Sequence, residues 1–150
     1  MKKYLCLDIG TTTIGIASSD MLGIAHPKEE YRFPRGNYRE ARKHICELMA
    51  STNIYSIVIG YPLQIDRKEG ERCESVRRFM DDLRNDCPGV MIYPFDESYS
   101  TVEAHERLKE SGYKEEKIKE VIDMYSAVVI LEDYLENKIN VKLGNEWISD

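Results

Sequence analysis

The sequence predicts an α/β domain built on a mixed five-stranded sheet with helices on both faces. Three observations carry this reading. Apolar runs of strand length, bounded by glycine, proline or polar residues, recur at residues 4–9, 14–18, 55–59 and 90–95. Longer stretches with apolar residues three and four apart separate the later runs. The first two runs follow one another across a tight turn, whereas the later ones alternate with helices, so an antiparallel meander leads into parallel strands.

The run at 4–9 stops at Gly10 and reads as a buried strand; 14–18 follows after Gly10, Thr11, Thr12 and Thr13 as the second arm of a hairpin. A weaker third strand lies between 24 and 33, interrupted or confined to an edge by Pro27 and ended by Pro34. Tyr38, Ala41, Ile45, Leu48 and Met49 mark a helix over 37–51 with Asn37 as N-cap. A strand at 55–59 closes at Gly60, and 61–70 is a loop holding Pro62 and Gly70. A second helix over 71–85 places Val76, Phe79, Met80 and Leu83 inward, and 90–95 is the last strand. Ser100 and Glu103 have capping-box spacing, which starts a helix that runs to about residue 111 before Gly112. The final helix, 115–137, carries Ile118, Val121, Ile122, Tyr125, Val129 and Leu135.

The chain has 150 residues and shows no repeat, linker or low-complexity stretch. It reads as one domain, 1–150, with a core over about 3–138 and a C-terminal tail, 139–150, without clear period. A composition 42% hydrophobic and 32% charged is that of a globular protein. The short apolar start, cut by Asp8, is no signal peptide, and no run reaches membrane-spanning length. A cytoplasmic protein is expected, with Cys6, Cys46, Cys73 and Cys87 as free thiols matching no zinc or thioredoxin spacing. The net charge of −6 argues against a broad non-specific nucleic-acid footprint. Basic residues nevertheless gather at 28–44 and at Arg67, Lys68, Arg72, Arg77 and Arg78, most of them read as solvated surface.

Three carboxylates stand out. Asp8 ends an otherwise apolar strand, where a charge must be paired, hydrogen-bonded or bound to a cation; bonding to the Gly10 turn would be the ordinary explanation. Glu97, beside Asp96, lies just past the last strand, where ligands of open α/β sheets collect, although a nearby helix N-terminus also favours acids there. Asp123 sits within the final helix with Ser126 and Ala127 on its face, and small neighbours leave room above it, although an exposed aspartate or one capping a nearby amide would be the ordinary explanation. Together they form an oxygen-rich set suited to Mg²⁺ or Mn²⁺, and two such ions can drive phosphodiester hydrolysis. The turn from Asp8 to Thr13, with Gly10 and three threonines, is a candidate phosphate cradle. His26, His44 and His105 have no metal spacing and read as surface residues.

Four motifs then appear in order. They are Asp8, Gly10, Gly15, Ala17, Ser19 and Asp20; Gly60, Pro62, Leu63, Asp66 and Gly70, followed by Phe79 and Leu83; Asp96, Glu97, Ser98, Tyr99, Ser100 and Thr101, followed by Ala104 and Leu108; and Asp123, Ser126 and Ala127. They resemble the YqgF/RuvX family, described as pre-16S rRNA processing nucleases or Holliday-junction-resolvase-like proteins, over nearly the whole chain. The resemblance implies an RNase H-like fold and a metal-dependent nuclease acting on an RNA precursor or branched DNA. It implies Asp8, Glu97 and Asp123 as the metal carboxylates, with substrate contacts from Gly10, Thr11, Thr13, Arg67, Lys68, Ser98 and Thr101. The family usually has arginine where this chain has Thr13 and Ser98, and Gly-Ser where it has Arg67 and Lys68. A resolvase would favour a symmetric homodimer, because a junction offers paired strands; the sequence carries no interface signature. Two other readings stand beside the nuclease. One is a nucleic-acid-binding or regulatory protein on the same fold. The other is a nucleotide-phosphate site, since residues 8–13 also look like the phosphate hairpin of actin-like ATPases and sugar kinases, which need two such domains.

Overall fold

The expected antiparallel start and parallel continuation are both present. The structure, a computed structural model, describes residues 2–62, 70–97 and 100–139. Among these the order is β1 (Leu5–Ile9), β2 (Thr13–Ser19), β3 (Ala25–Arg32), α1 (Tyr38–Thr52), β4 (Ser56–Tyr61), α2 (Glu71–Asp86), β5 (Met91–Asp96), α3 (Ser100–Glu110) and α4 (Glu115–Ile139). The sheet order is β3-β2-β1-β4-β5. β2 runs antiparallel to β1 and β3, while β4 lies parallel to β1 and β5. The loop carrying Arg67 and Lys68, Ser98, and the expected tail from residue 140 on lie outside the described residues.

β1 is central, which is why its sequence is a nearly unbroken apolar run. Leu5, Leu7 and Ile9 join Ile14, Ile16, Ile57 and Ile59 under Ala41, Ile45 and Met49 of α1 and Val76, Phe79 and Leu83 of α2. Tyr4, Cys6, Ala17, Val58, Tyr93 and Phe95 face the other way, against Ala127, Val128, Ile130, Leu131 and Tyr134 of α4. Full burial of each such aliphatic or aromatic side chain contributes about 1.5–3 kcal/mol, so both layers are needed to hold the sheet. Asn37 caps α1 by accepting from the Glu40 amide at 3.2 Å. All four cysteines carry free thiols.

One detail differs from expectation, and at Pro27 the edge-strand alternative is the one found. In α4 the buried residues are Ile118, Tyr134 and the continuous run Ser126, Ala127, Val128, Val129, Ile130 and Leu131 rather than a single stripe, and Val121, Ile122 and Tyr125 are only partly buried. The helix is covered by the sheet on one side and by α3 on another, so a one-faced period does not describe it. Pro27 does not break β3. The strand lies at the sheet edge and absorbs the irregularity as a bulge: Ala17 pairs with Pro27 and Ile16 with Glu29, leaving Lys28 without an opposite residue.

Candidate active site

The register lays out the site. Asp8 pairs with Gly15, and Gly15 with Glu30, so the three form one row across β1, β2 and β3. Cross-strand neighbours share a face, here the α4 face. On the other side of β1, Gly60 near the end of β4 lies beneath Glu97. The two glycines clear the floor. A Cβ at Gly15 would lie 2.0 Å from the Asp123 carbonyl oxygen, and one at Gly60 would lie 2.7 Å from Glu97 Oε2. The α4 backbone therefore settles directly on Gly15, which brings Asp123 beside the strand-end carboxylates, and Glu97 folds back over Gly60.

Asp8, Glu97 and Asp123 line one cavity of about 310 Å³, with Gly10, Thr13, Thr101 and Arg72 in its walls. The Thr13 hydroxyl donates to Asp123 Oδ2 at 2.8 Å. Asp8 and Glu97 hydrogen-bond each other, and burial pushes the Asp8 carboxyl well above the usual carboxylate range; the charges of Glu97 and then Asp123 add to the rise, and Arg72 opposes it. Glu97 is also raised, chiefly by burial, against the lowering effects of the bond from Asp8 and of Arg72. Both shifts have one cause: two adjacent carboxylates away from water do not both ionise readily. Thr11 lies aside from this cavity, in a neighbouring one of about 130 Å³ with Tyr38 and Ser75. The turn is not an open nest of amides at Gly10, whose N–H donates to the Thr13 carbonyl at 2.8 Å. Ser126, on the face of Asp123, donates to Thr101 Oγ1 at 3.4 Å and so ties α4 to α3.

Two residues at the site were not singled out from the sequence. Glu30 hydrogen-bonds Asp123, and burial together with the Asp123 charge raises its carboxyl, Arg32 opposing. The β3 bulge puts Glu30 there: with Lys28 inserted, Glu30 rather than Glu29 stands opposite Gly15. Glu29 falls on the α1 face and meets His44 Nε2 at 2.7 Å. His44, read as a surface residue, is accordingly half-buried and stacks on Tyr31 at 3.9 Å between ring centroids. Arg72, in the first turn of α2, donates from Nη2 to the Ile9 carbonyl at 2.5 Å and brings a guanidinium to the acidic cavity.

As they stand, no three His, Cys, Asp or Glu side chains among the described residues are arranged to hold a metal ion. Asp8 is bonded to Glu97, and Asp123 to Thr13 and Glu30. The donor chemistry nonetheless fits a hard divalent cation. The oxygens are carboxylate oxygens, and among the described residues lining the cavity three carboxylates face one guanidinium, an excess of negative charge that a cation would offset.

The chain matches known proteins over most of its length. A family model described as RuvX, Holliday junction resolvase, matches residues 2–137. A protein of Lachnospira eligens named "Putative pre-16S rRNA nuclease" is 39% identical over 138 residues, 91% of this chain and 98% of its own. One of the same name from Fusobacterium nucleatum is 35% identical over 144 residues, 92% of this chain and 99% of its own. Among solved structures, T. thermophilus RuvC in complex with a Holliday junction substrate aligns with a TM-score of 0.57 at 12% identity, over 93% of this chain and 97% of that one. Another Thermus thermophilus RuvC structure gives 0.58 at 10% identity, over 91% and 96%. At such identities the likeness is one of fold, the RNase H-like fold. Among the described residues no helix is long and apolar enough to cross a membrane.

Proposed function

This chain belongs to the RuvX family, and we propose that it is a divalent-metal-dependent nuclease that hydrolyses phosphodiester bonds in structured nucleic acid. The observation that carries the proposal is the meeting of Asp8, Glu97 and Asp123, far apart in sequence, around one cavity. The names of its curated relatives favour 5′-end processing of pre-16S rRNA. The family description and the junction-bound structural neighbour favour resolution of branched DNA, which calls for a homodimer to meet paired strands.

Asp8, Glu97 and Asp123 would hold Mg²⁺ or Mn²⁺. Bound there, such an ion supplies a more acidic attacking water and neutralises charge on the leaving oxygen. The chain's own residues do the rest. Gly15 and Gly60 let α4 and Glu97 close on the strand ends. Thr13 fixes one Asp123 oxygen and so orients the other. Gly10, Thr13 and Thr101 give the cavity a small polar wall through which a phosphate can approach. Ser98, Arg67 and Lys68 belong to the same proposal as substrate contacts.

The test is cleavage of a pre-16S rRNA fragment and of a four-way DNA junction with Mg²⁺ or Mn²⁺. Cleavage of either is expected from the native protein and none from Asp8→Asn; full activity in that variant would sink the assignment of Asp8.

A second reading, a nucleic-acid-binding or regulatory protein that keeps the fold without hydrolysis, is favoured by the pairing of the carboxylates with one another and of Asp123 with Thr13. It predicts no stabilisation by millimolar Mn²⁺. A Mn²⁺-dependent rise in Tm that disappears in Asp123→Asn would exclude it, since an ion that binds only the folded state at one hundred times its Kd adds about 2.7 kcal/mol.

A further inference from the structure

Arg72 stands between two cavities. On one side is the chamber of Asp8, Glu97 and Asp123; on the other is the smaller groove of Ile9, Thr11, Tyr38 and Ser75, and Arg72 lines both. Its head is positioned by the backbone, through the bond from Nη2 to the carbonyl of Ile9, the residue next to Asp8. Its charge acts on the carboxylate pair, lowering both Asp8 and Glu97 against the effect of burial. Among the described residues the adjoining groove has one carboxylate, Glu71, and it offers two hydroxyl side chains and an aromatic ring. Tyr38 is itself anchored, its hydroxyl donating to the Gly10 carbonyl at 3.4 Å and its ring edge-on to Phe79.

A polyanion that approaches a cluster of carboxylates is repelled unless a cation meets it on the way. A guanidinium carries five donors in a planar fork that matches phosphate oxygens, and the Ile9 carbonyl accounts for one of them. We propose that Arg72 binds a backbone phosphate of the nucleic acid next to the one at the carboxylates, and that the groove of Thr11, Tyr38 and Ser75 beyond it seats the nucleotide carrying that phosphate. The proposal rests on the nuclease reading for its substrate class, but the contact itself needs no hydrolysis. Ring stacking in such a groove tolerates any base.

The experiment is an anisotropy titration of a fluorescent four-way DNA junction and a fluorescent RNA hairpin with single-stranded flanks, in EDTA, at several salt concentrations. Wild type, Arg72→Gln, Arg72→Lys and Arg84→Gln are compared. Arg84 lies twelve residues further along α2, roughly 18 Å away by helix rise. Arg72→Gln is expected to bind about 10- to 100-fold more weakly, as for loss of a charge-assisted hydrogen bond. It is also expected to lose about 0.7–0.9 from the slope of log affinity against log salt, the signature of one phosphate contact. Arg72→Lys should keep the slope and recover part of the affinity, and Arg84→Gln should match wild type. A merely structural role would lower Tm and leave the slope unchanged. If Arg72→Gln does not fold, Arg72→Lys carries the test: affinity equal to wild type would overturn the proposal. An unchanged slope in folded Arg72→Gln would also overturn it, as would a wild-type protein that binds neither polymer. The tighter of the two arms identifies the polymer. Binding with the expected slopes but no cleavage by the wild type would defeat the nuclease reading and leave Arg72 in place.

Discussion

On one face of the sheet β1 presents Leu5, Leu7 and Ile9, all buried beneath α1 and α2; on the other, Tyr4 just before the strand is followed by Cys6 and Asp8 beneath α4. The faces match for two residues and then part. Ile59 beside Leu7 and Ile14 beside Ile9 continue the apolar packing, whereas Gly15 and Gly60 flank Asp8 and supply no side chain at all. The α4 face gives up apolar contact at the strand ends and gains a hollow for carboxylates. Close packing without side chains, rather than a cap of polar residues, is what holds that hollow in shape.

The strongest way to break this contrast is to put a methyl group into it. Gly15→Ala sets a Cβ 2.0 Å from a helix carbonyl, where neither neighbour is a flexible side-chain end. We expect a loss of about 3 kcal/mol or more in urea denaturation, because α4 must move off the sheet. Ile16→Val, the adjacent position on the opposite face, should lose only about 0.5–1.5 kcal/mol. Gly60→Ala should fall between them at about 1–3 kcal/mol, because its Cβ meets the movable ends of Glu97 at 2.7 Å and Ile130 at 2.9 Å. Its effect on cleavage should exceed its effect on folding, since Glu97 is what moves. Equal losses at Gly15 and Ile16 would show that the close approach does not organise the site.

The buried carboxylates sharpen the contrast through pH. Asp8 has a raised carboxyl in the folded protein, from burial first and Glu97 second, and Glu97 is raised as well. The folded state thus binds protons more tightly than the unfolded chain, whose carboxylates titrate near about 4. Without divalent ions, stability should fall as pH rises from that value through the raised folded value, and the full penalty should remain above it. Asp8→Asn removes the group, so it should flatten the decline and raise Tm at neutral pH. No substitution of Leu7 or Ile9 can do this. Thermal melts from pH 4 to 8 in EDTA decide it: a native protein that gains stability steadily across that range would contradict the raised carboxyls of Asp8 and Glu97.

How much of this was legible depends on what kind of signal each residue leaves. The strand and helix order follows from apolar runs and from caps such as Asn37, which act within a few residues. Asp8, Glu97 and Asp123 are visible because each interrupts or ends an apolar context. Arg72 is not, since Glu71, Arg77 and Arg78 around it make the helix look like ordinary solvated surface, and only the tertiary approach of α2 to the end of β1 distinguishes it. Glu30 is hidden for a different reason. Glu29 and Glu30 are chemically alike, and which one meets Asp123 depends on a one-residue bulge.

That bulge gives the smallest test and the most specific one. Glu29 and Glu30 are adjacent, yet Glu29 pairs with His44 on the α1 face while Glu30 crowds Asp123 on the α4 face. The same isosteric change should therefore act with opposite sign. Glu30→Gln relieves a carboxyl raised by burial and by the Asp123 charge, and at neutral pH it should stabilise slightly. Glu29→Gln removes the charge that meets His44 and should destabilise slightly. Each shift should lie within about 0.5 kcal/mol, the usual range for partly exposed substitutions. Paired melts at pH 7 and at pH 4.5, where Glu30 takes up its proton and its advantage as Gln shrinks, resolve the signs. Like signs at both positions would mean that the two strands pair without the bulge, and that Glu29 rather than Glu30 faces the cavity.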